Sequence, residues 1–188
     1  MKSVYPYKVT AIYCLIIAVL NIVTWTFLIL SGRAEPTETE IVSYIFHWFS
    51  EFMTILFLLI AGVQLLLKNA NCRNLMFLSL GFLIMAIGGA FIHYLFYFEM
   101  MFFVFSSIIT GITILFIIIN YRSLKDFILI TLGVSVYAFL NILGHAIEEV
   151  NLSLMSMSAP ALLFIIILIV SLWNKDIGFK YQKRPGNG

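Results

Sequence analysis

Charge is scarce in this chain. Only 11% of its 188 residues are Asp, Glu, Lys or Arg, where soluble domains carry about 25%. A solvated globular domain of this length is thereby excluded. Cysteine is nearly missing. Cys14 and Cys72 stand alone, with no C-x-x-C or Cys/His spacing, which argues against thiolate zinc, iron–sulfur and dithiol chemistry. Proline is rare, and Pro160 alone falls well inside a long apolar run. A formal charge of +2 gives no footprint for a nucleic-acid partner.

What is abundant is apolar surface. Hydrophobic residues make up 62% of the chain and the mean hydropathy is +1.06. About 20 apolar residues span the hydrocarbon of a bilayer. Six runs meet that length, at about 9–31, 41–67, 75–98, 101–120, 126–150 and 154–173. The first exceeds the roughly 7–15-residue core of a signal peptide and is read as a retained span. The expected fold is an all-α integral membrane protein, a six-transmembrane-helix bundle. Residues 1–173 form its single domain, and 174–188 form a basic cytoplasmic tail.

The basic residues set the orientation. With six spans, Lys2, Lys8, Lys68, Arg73, Arg122, Lys125, Lys175, Lys180, Lys183 and Arg184 share one side, and Arg33 alone lies on the other. The positive-inside rule makes the first side cytoplasmic. Both termini are therefore expected in the cytoplasm, with the chain multi-pass in the cell membrane. Removing one span would put basic residues on both sides. Phe98-Glu99-Met100-Met101 is accordingly read as a short link between two helices.

Against this apolar background the polar residues stand out. Three histidines occur, each inside an apolar run and close to an acid: His47 with Glu51, His93 with Glu99, His145 with Glu148 and Glu149. Charge at mid-bilayer costs about 2.5–3.5 kcal/mol on insertion scales. At 1.5 Å of rise per residue, His47 falls about 9 Å, and His93 and His145 about 8 Å, below the outer edge. His47 and Glu51 are i, i+4 on one face. Ser43 and Thr54 extend that stripe. In the fifth run Tyr137, Asn141, His145 and Glu149 recur every four residues, with Glu148 at the border. Two narrow polar stripes at one depth are expected to face each other, with His93 joining them. Glu99 belongs to the interface.

Imidazole and carboxylate together suit zinc, iron or manganese, with copper less suited. The expected ligand set is His47, Glu51, His93, His145, Glu148 and Glu149, with Asn141 and Ser43 as supporting contacts. Such a centre would activate water against a lipid or apolar substrate, and Glu51 or Glu149 would act as the catalytic base. A reading of a different class is a non-catalytic transporter or a small integral subunit of a larger complex. In it the cluster binds a proton or cation. A third reading is a haem held by His93 and His145, or a quinone-type site. A fourth is that these side chains are merely hydrogen-bonded or solvated near helix ends. The partners implied are the lipid bilayer and other membrane subunits or a second copy of the chain.

The remaining features are structural. Aromatic residues around His47 and His93 read as an interfacial belt. Gly81, Gly88, Gly89 and Gly111 read as close-packing positions. Pro160 predicts a local break in hydrogen bonding, unless it occupies the first turn of a shorter helix.

Overall fold

The computed structural model describes residues 5–32, 41–67, 72–96, 100–148 and 152–173. These hold six helices and, among the described residues, no strand. They are α1 (Tyr5–Leu30), α2 (Ile41–Leu66), α3 (Cys72–Phe96), α4 (Met100–Asn120), α5 (Leu124–Glu148) and α6 (Leu152–Trp173). Lipid offers no partner for backbone N–H and C=O groups, so a chain this apolar satisfies them within helices. The basic tail lies outside the described residues.

Five of the helices are long and apolar enough to cross a membrane: α1 to α5, with α3 counted over Cys72–Gly89 and α4 over Phe103–Asn120. The chain is on that ground an integral membrane protein. In α6 the apolar stretch counted is Ser158–Trp173. The runs at 75–98 and 101–120 form two helices, as the Glu99 link predicts.

The helix ends follow local chemistry. α1 stops at Gly32, which takes a φ of 67° where a side chain would be strained. At the start of α5 the Asp126 carboxylate accepts the Ser123 N–H at 2.9 Å and the Arg122 N–H at 2.8 Å. This is the carboxylate arm of a capping box, in which the third residue of the helix reaches back to the N–H of Ser123. Pro160 falls inside α6 rather than in a first turn.

Helices α2, α3 and α5 pack on one another and form the centre. α1 packs on α2 and touches α4, α4 packs on α3, and α6 packs on α5. Phe77, Met76, Leu80 and Leu83 of α3 are fully buried with Leu58 of α2 and Cys14 of α1. The outer helices turn large apolar side chains outward, among them Ile16 and Phe27 of α1, Ile118 of α4 and Leu163 of α6. That is the reverse of a soluble surface and fits a lipid-facing one.

α3 and α5 run parallel, since Arg73 meets Asp126 and Phe82 meets Tyr137 further along both helices. Their crossing is backbone on backbone. A Cβ on Gly81 would lie 2.2 Å from the Ile130 carbonyl oxygen, and one on Gly133 would lie 2.4 Å from that of Leu78. Gly81 is thus a close-packing position, as expected. At Gly88, Gly89 and Gly111 no such approach is seen, since among the described residues a Cβ there meets nothing within 4 Å. Gly62 and Gly144 instead make close approaches, to Leu15 and to Phe46 and Ser43.

Candidate functional site

The two polar stripes do face each other. α2 and α5 run antiparallel, and each step along one is matched on the other. Tyr137 pairs with Glu51, Asn141 with His47 and Ser50, and Glu148 with the first residues of α2. Gly144 makes this approach close, since a Cβ there would lie 3.0 Å from the Ser43 Cα. A bulkier residue at 144 would push the stripes apart.

At the deepest step the Tyr137 hydroxyl donates to Glu51 Oε1 at 2.6 Å. Both residues are buried, Glu51 with 8% of its surface exposed. Phe82 of α3 closes the far side, its ring centroid 6.3 Å from that of Tyr137. A carboxylate is acceptor-only when ionised, so the phenol satisfies one of its oxygens in a place without bulk water.

One turn outward, the His47 ring nitrogen Nδ1 lies 3.1 Å from Asn141 Oδ1. Asn141 Nδ2 donates to the Tyr137 carbonyl at 2.9 Å and to Ser50 Oγ at 3.1 Å. The Ser50 hydroxyl donates to the His47 carbonyl at 2.7 Å. Thr54 continues the stripe inward by donating to the Ser50 carbonyl at 2.8 Å. On its other side the imidazole meets Trp25 of α1, with ring centroids 5.9 Å apart. Trp25 in turn meets Trp48, and Trp48 meets Tyr44. Trp25 thus joins the imidazole to Trp48 and Tyr44, two of the aromatic residues around His47 in the sequence.

At the outermost step Glu148 works as a cap. Its Oε1 accepts the Val42 N–H at 2.9 Å and its Oε2 accepts the Ser43 N–H at 3.2 Å. The first N–H groups of α2 have no partner inside their own helix, and the positive end of the helix dipole favours a carboxylate there. Glu148 is therefore committed to the end of α2.

These placements bear on the described part of the expected metal cluster. Among the described residues no three His, Cys, Asp or Glu side chains come together as a group that could hold a metal ion. His47, Glu51, His145 and Glu148 therefore do not form one centre. The physical reason is axial distance. Glu51 and the α2 residues held by Glu148 are eight or nine positions apart, about 12 Å at the helical rise, whereas metal–ligand bonds are about 2 Å. The depth estimate was too coarse to separate two turns of helix. His145 is exposed. The His93 side chain, Glu99 and Glu149 lie outside the described residues.

Three participants were not foreseen from sequence. Ser50 sits at i+3 from His47, a spacing that places it on the same face. Trp25 comes from another helix and left no signal. The third is the Arg73–Asp126 ion pair at the opposite end of the bundle, where Asp126 is 2% exposed. The Arg73 guanidinium also lies over the Phe77 ring, 5.7 Å from its centroid. A second polar contact ties α1 to α4, where Tyr13 and Thr113 share a 2.5 Å hydrogen bond and Asn120 donates to Thr10 at 3.0 Å.

No curated protein and no solved structure matches the chain. Residues 5–126 match the family model described as Domain of unknown function (DUF8058). That match covers α1 to α4 and the capping box of α5, and includes His47, Ser50 and Glu51 of the seam. With well over half its length matched, the chain belongs to this family.

Proposed function

We propose that this chain is a non-catalytic membrane protein in which the α2–α5 seam is a protonatable site open toward the outer face. It is the small transporter or integral complex subunit that the sequence allowed, with Glu51 as the proton-carrying carboxylate and His47 as its neighbour. The observation that carries this reading is the buried Glu51–Tyr137 pair one helical turn from the His47–Asn141 pair. Acid and imidazole chains of this kind serve proton and cation pathways within membranes. Each group has a hydrogen-bond partner from the facing helix, so the site needs no metal to be satisfied.

In this reading all six helices span the cell membrane and both termini are cytoplasmic. By helical rise the 22 residues of α6 extend about 33 Å, enough for the hydrocarbon. The distribution of ten basic residues against one supports that orientation. It puts Arg73, Asp126 and Arg122 at the inner face and Glu148 at the outer one.

The test is infrared difference spectroscopy of the purified chain in lipid nanodiscs during a pH titration. The expected result is the carbonyl band of a protonated carboxylic acid that appears reversibly. The band is lost in Glu51→Gln and displaced in Tyr137→Phe. With nine acids in the chain, the reading is the component that the wild type has and Glu51→Gln lacks; identical titration difference spectra for the two proteins overturn the proposal. So does stoichiometric zinc, iron or manganese in the purified chain that disappears in His47→Ala, which would establish the metal centre instead.

A further inference from the structure

The hydrogen bonds around Asn141 have a fixed polarity. The Tyr137 carbonyl can only accept, so the group 2.9 Å from it on Asn141 must be the NH2. Ser50 gives its single hydroxyl proton to the His47 carbonyl, so toward Asn141 its oxygen must accept. Both constraints put Nδ2 on one side and leave Oδ1 facing His47. An amide flip would set oxygen against the Tyr137 carbonyl oxygen and remove the donor that Ser50 needs. An amide oxygen has no proton to give, so Nδ1 of His47, 3.1 Å away, must donate. A neutral imidazole has one N–H, and its lone pair then resides on Nε2.

We propose that Asn141 is the positioning residue of the seam: it holds His47 as the Nδ1–H tautomer and makes Nε2 the nitrogen that accepts. The ligand that fits is a hydrogen-bond donor, whether a proton, a hydroxyl or an ammonium group. A ligand offering only acceptors, such as a ketone or an ester carbonyl, finds no donor at Nε2 while the ring is neutral. The backbone reinforces the choice. Asn141 and Tyr137 lie one turn apart on α5, as do His47 and Glu51 on α2. A shift of either helix that breaks the Tyr137–Glu51 bond therefore also disturbs the bond that fixes the tautomer. The proposal uses the protonatable-site reading for its purpose, but its geometry stands without it.

The experiment is nitrogen-15 NMR of the full chain in nanodiscs, labelled at histidine ring nitrogens, at a pH where imidazoles are neutral. The His47 signals are assigned by their loss in His47→Gln. In the wild type they should show one tautomer, with a protonated Nδ1 and an unprotonated Nε2. Asn141→Leu should convert this to a mixture or to the Nε2–H form. A wild-type His47 protonated at Nε2, or an unchanged spectrum in Asn141→Leu, overturns the proposal. Should Asn141→Leu fail to fold, the wild-type spectrum still decides. The infrared titration of Glu51 reads a different atom, so either proposal can fail alone.

Discussion

Helix α5 has two working faces, and they are built on opposite principles. Toward α3 it offers absence: Gly133 lets the two backbones meet where even a methyl group would lie 2.4 Å from the Leu78 oxygen. Toward α2 it offers side chains, and Tyr137, Asn141 and Glu148 each find a partner across the interface. In lipid the hydrophobic effect does not drive helices together, so association rests on close packing and on interhelical hydrogen bonds. This helix uses one on each side. The glycine face is rigid by volume, since a carbonyl oxygen of a packed helix cannot move aside like the end of a side chain. The polar face is held by bonds that can be exchanged, and this distinguishes a site from a seam of packing.

The comparison breaks first, and most severely, at the glycine face. Gly133→Ala forces α3 and α5 apart, and overpacking of this kind costs about 1–3 kcal/mol or more. The expected outcome is a marked fall in the melting temperature of the purified protein, with loss of monodisperse material on size exclusion. Gly88→Ala on α3 is the control, because its Cβ meets open space. It should be neutral or stabilising by up to about 1 kcal/mol, since alanine favours helix over glycine. Equal losses at 88 and 133 would show that the contrast is false.

The polar face should give next. Tyr137→Phe keeps the ring against Phe82 but strips the donor from buried Glu51. An unsatisfied buried group costs about 1–3 kcal/mol. Glu51→Leu removes the acid and the need for its partner, so the double variant should lose less than the two single losses added together. Thermal melts of all four proteins form the cycle, and strict additivity would deny that the pair is coupled. The smallest effect belongs to the rim. Glu148→Ala removes the cap on α2 and should lower the melting temperature less than Tyr137→Phe does, with Glu148→Asp intermediate. A larger loss there than at Tyr137 would move the energetic centre of the seam from its buried end to its outer edge.

Much of this was legible beforehand. The six helices follow from run length, and the antiparallel polar stripes follow from i, i+4 spacing of His47 with Glu51 and of Tyr137 with Asn141. Depth was legible only to within a turn or so. Glu51 and Glu148 were grouped although eight or nine residues of α2, more than two turns, separate Glu51 from Val42 and Ser43, the residues that Glu148 holds. Facing was legible for stripes of several residues and not for single ones. His145 continues the α5 stripe in sequence, yet it is exposed. Glycines show the same limit. Seven lie within the described helices, and sequence offers no rule for telling Gly133, pressed on a backbone, from Gly111, which faces open space.

The sequence by itself determined the helical, membrane-spanning class of the molecule, the six helices found among the described residues and the existence of a polar seam. Those are properties of order along one dimension: how long each apolar run is, where charge interrupts it, and how often a polar residue recurs. Only the tertiary structure decided who satisfies whom. Glu148 caps a helix that begins over a hundred residues away, Asn141 is held by Ser50 and Tyr137 so that its oxygen meets His47, and Trp25 arrives from α1. Such pairings depend on the rotation and axial offset of packed helices. Shifts of a few ångströms in those quantities leave the pattern of the sequence unchanged but exchange every hydrogen bond.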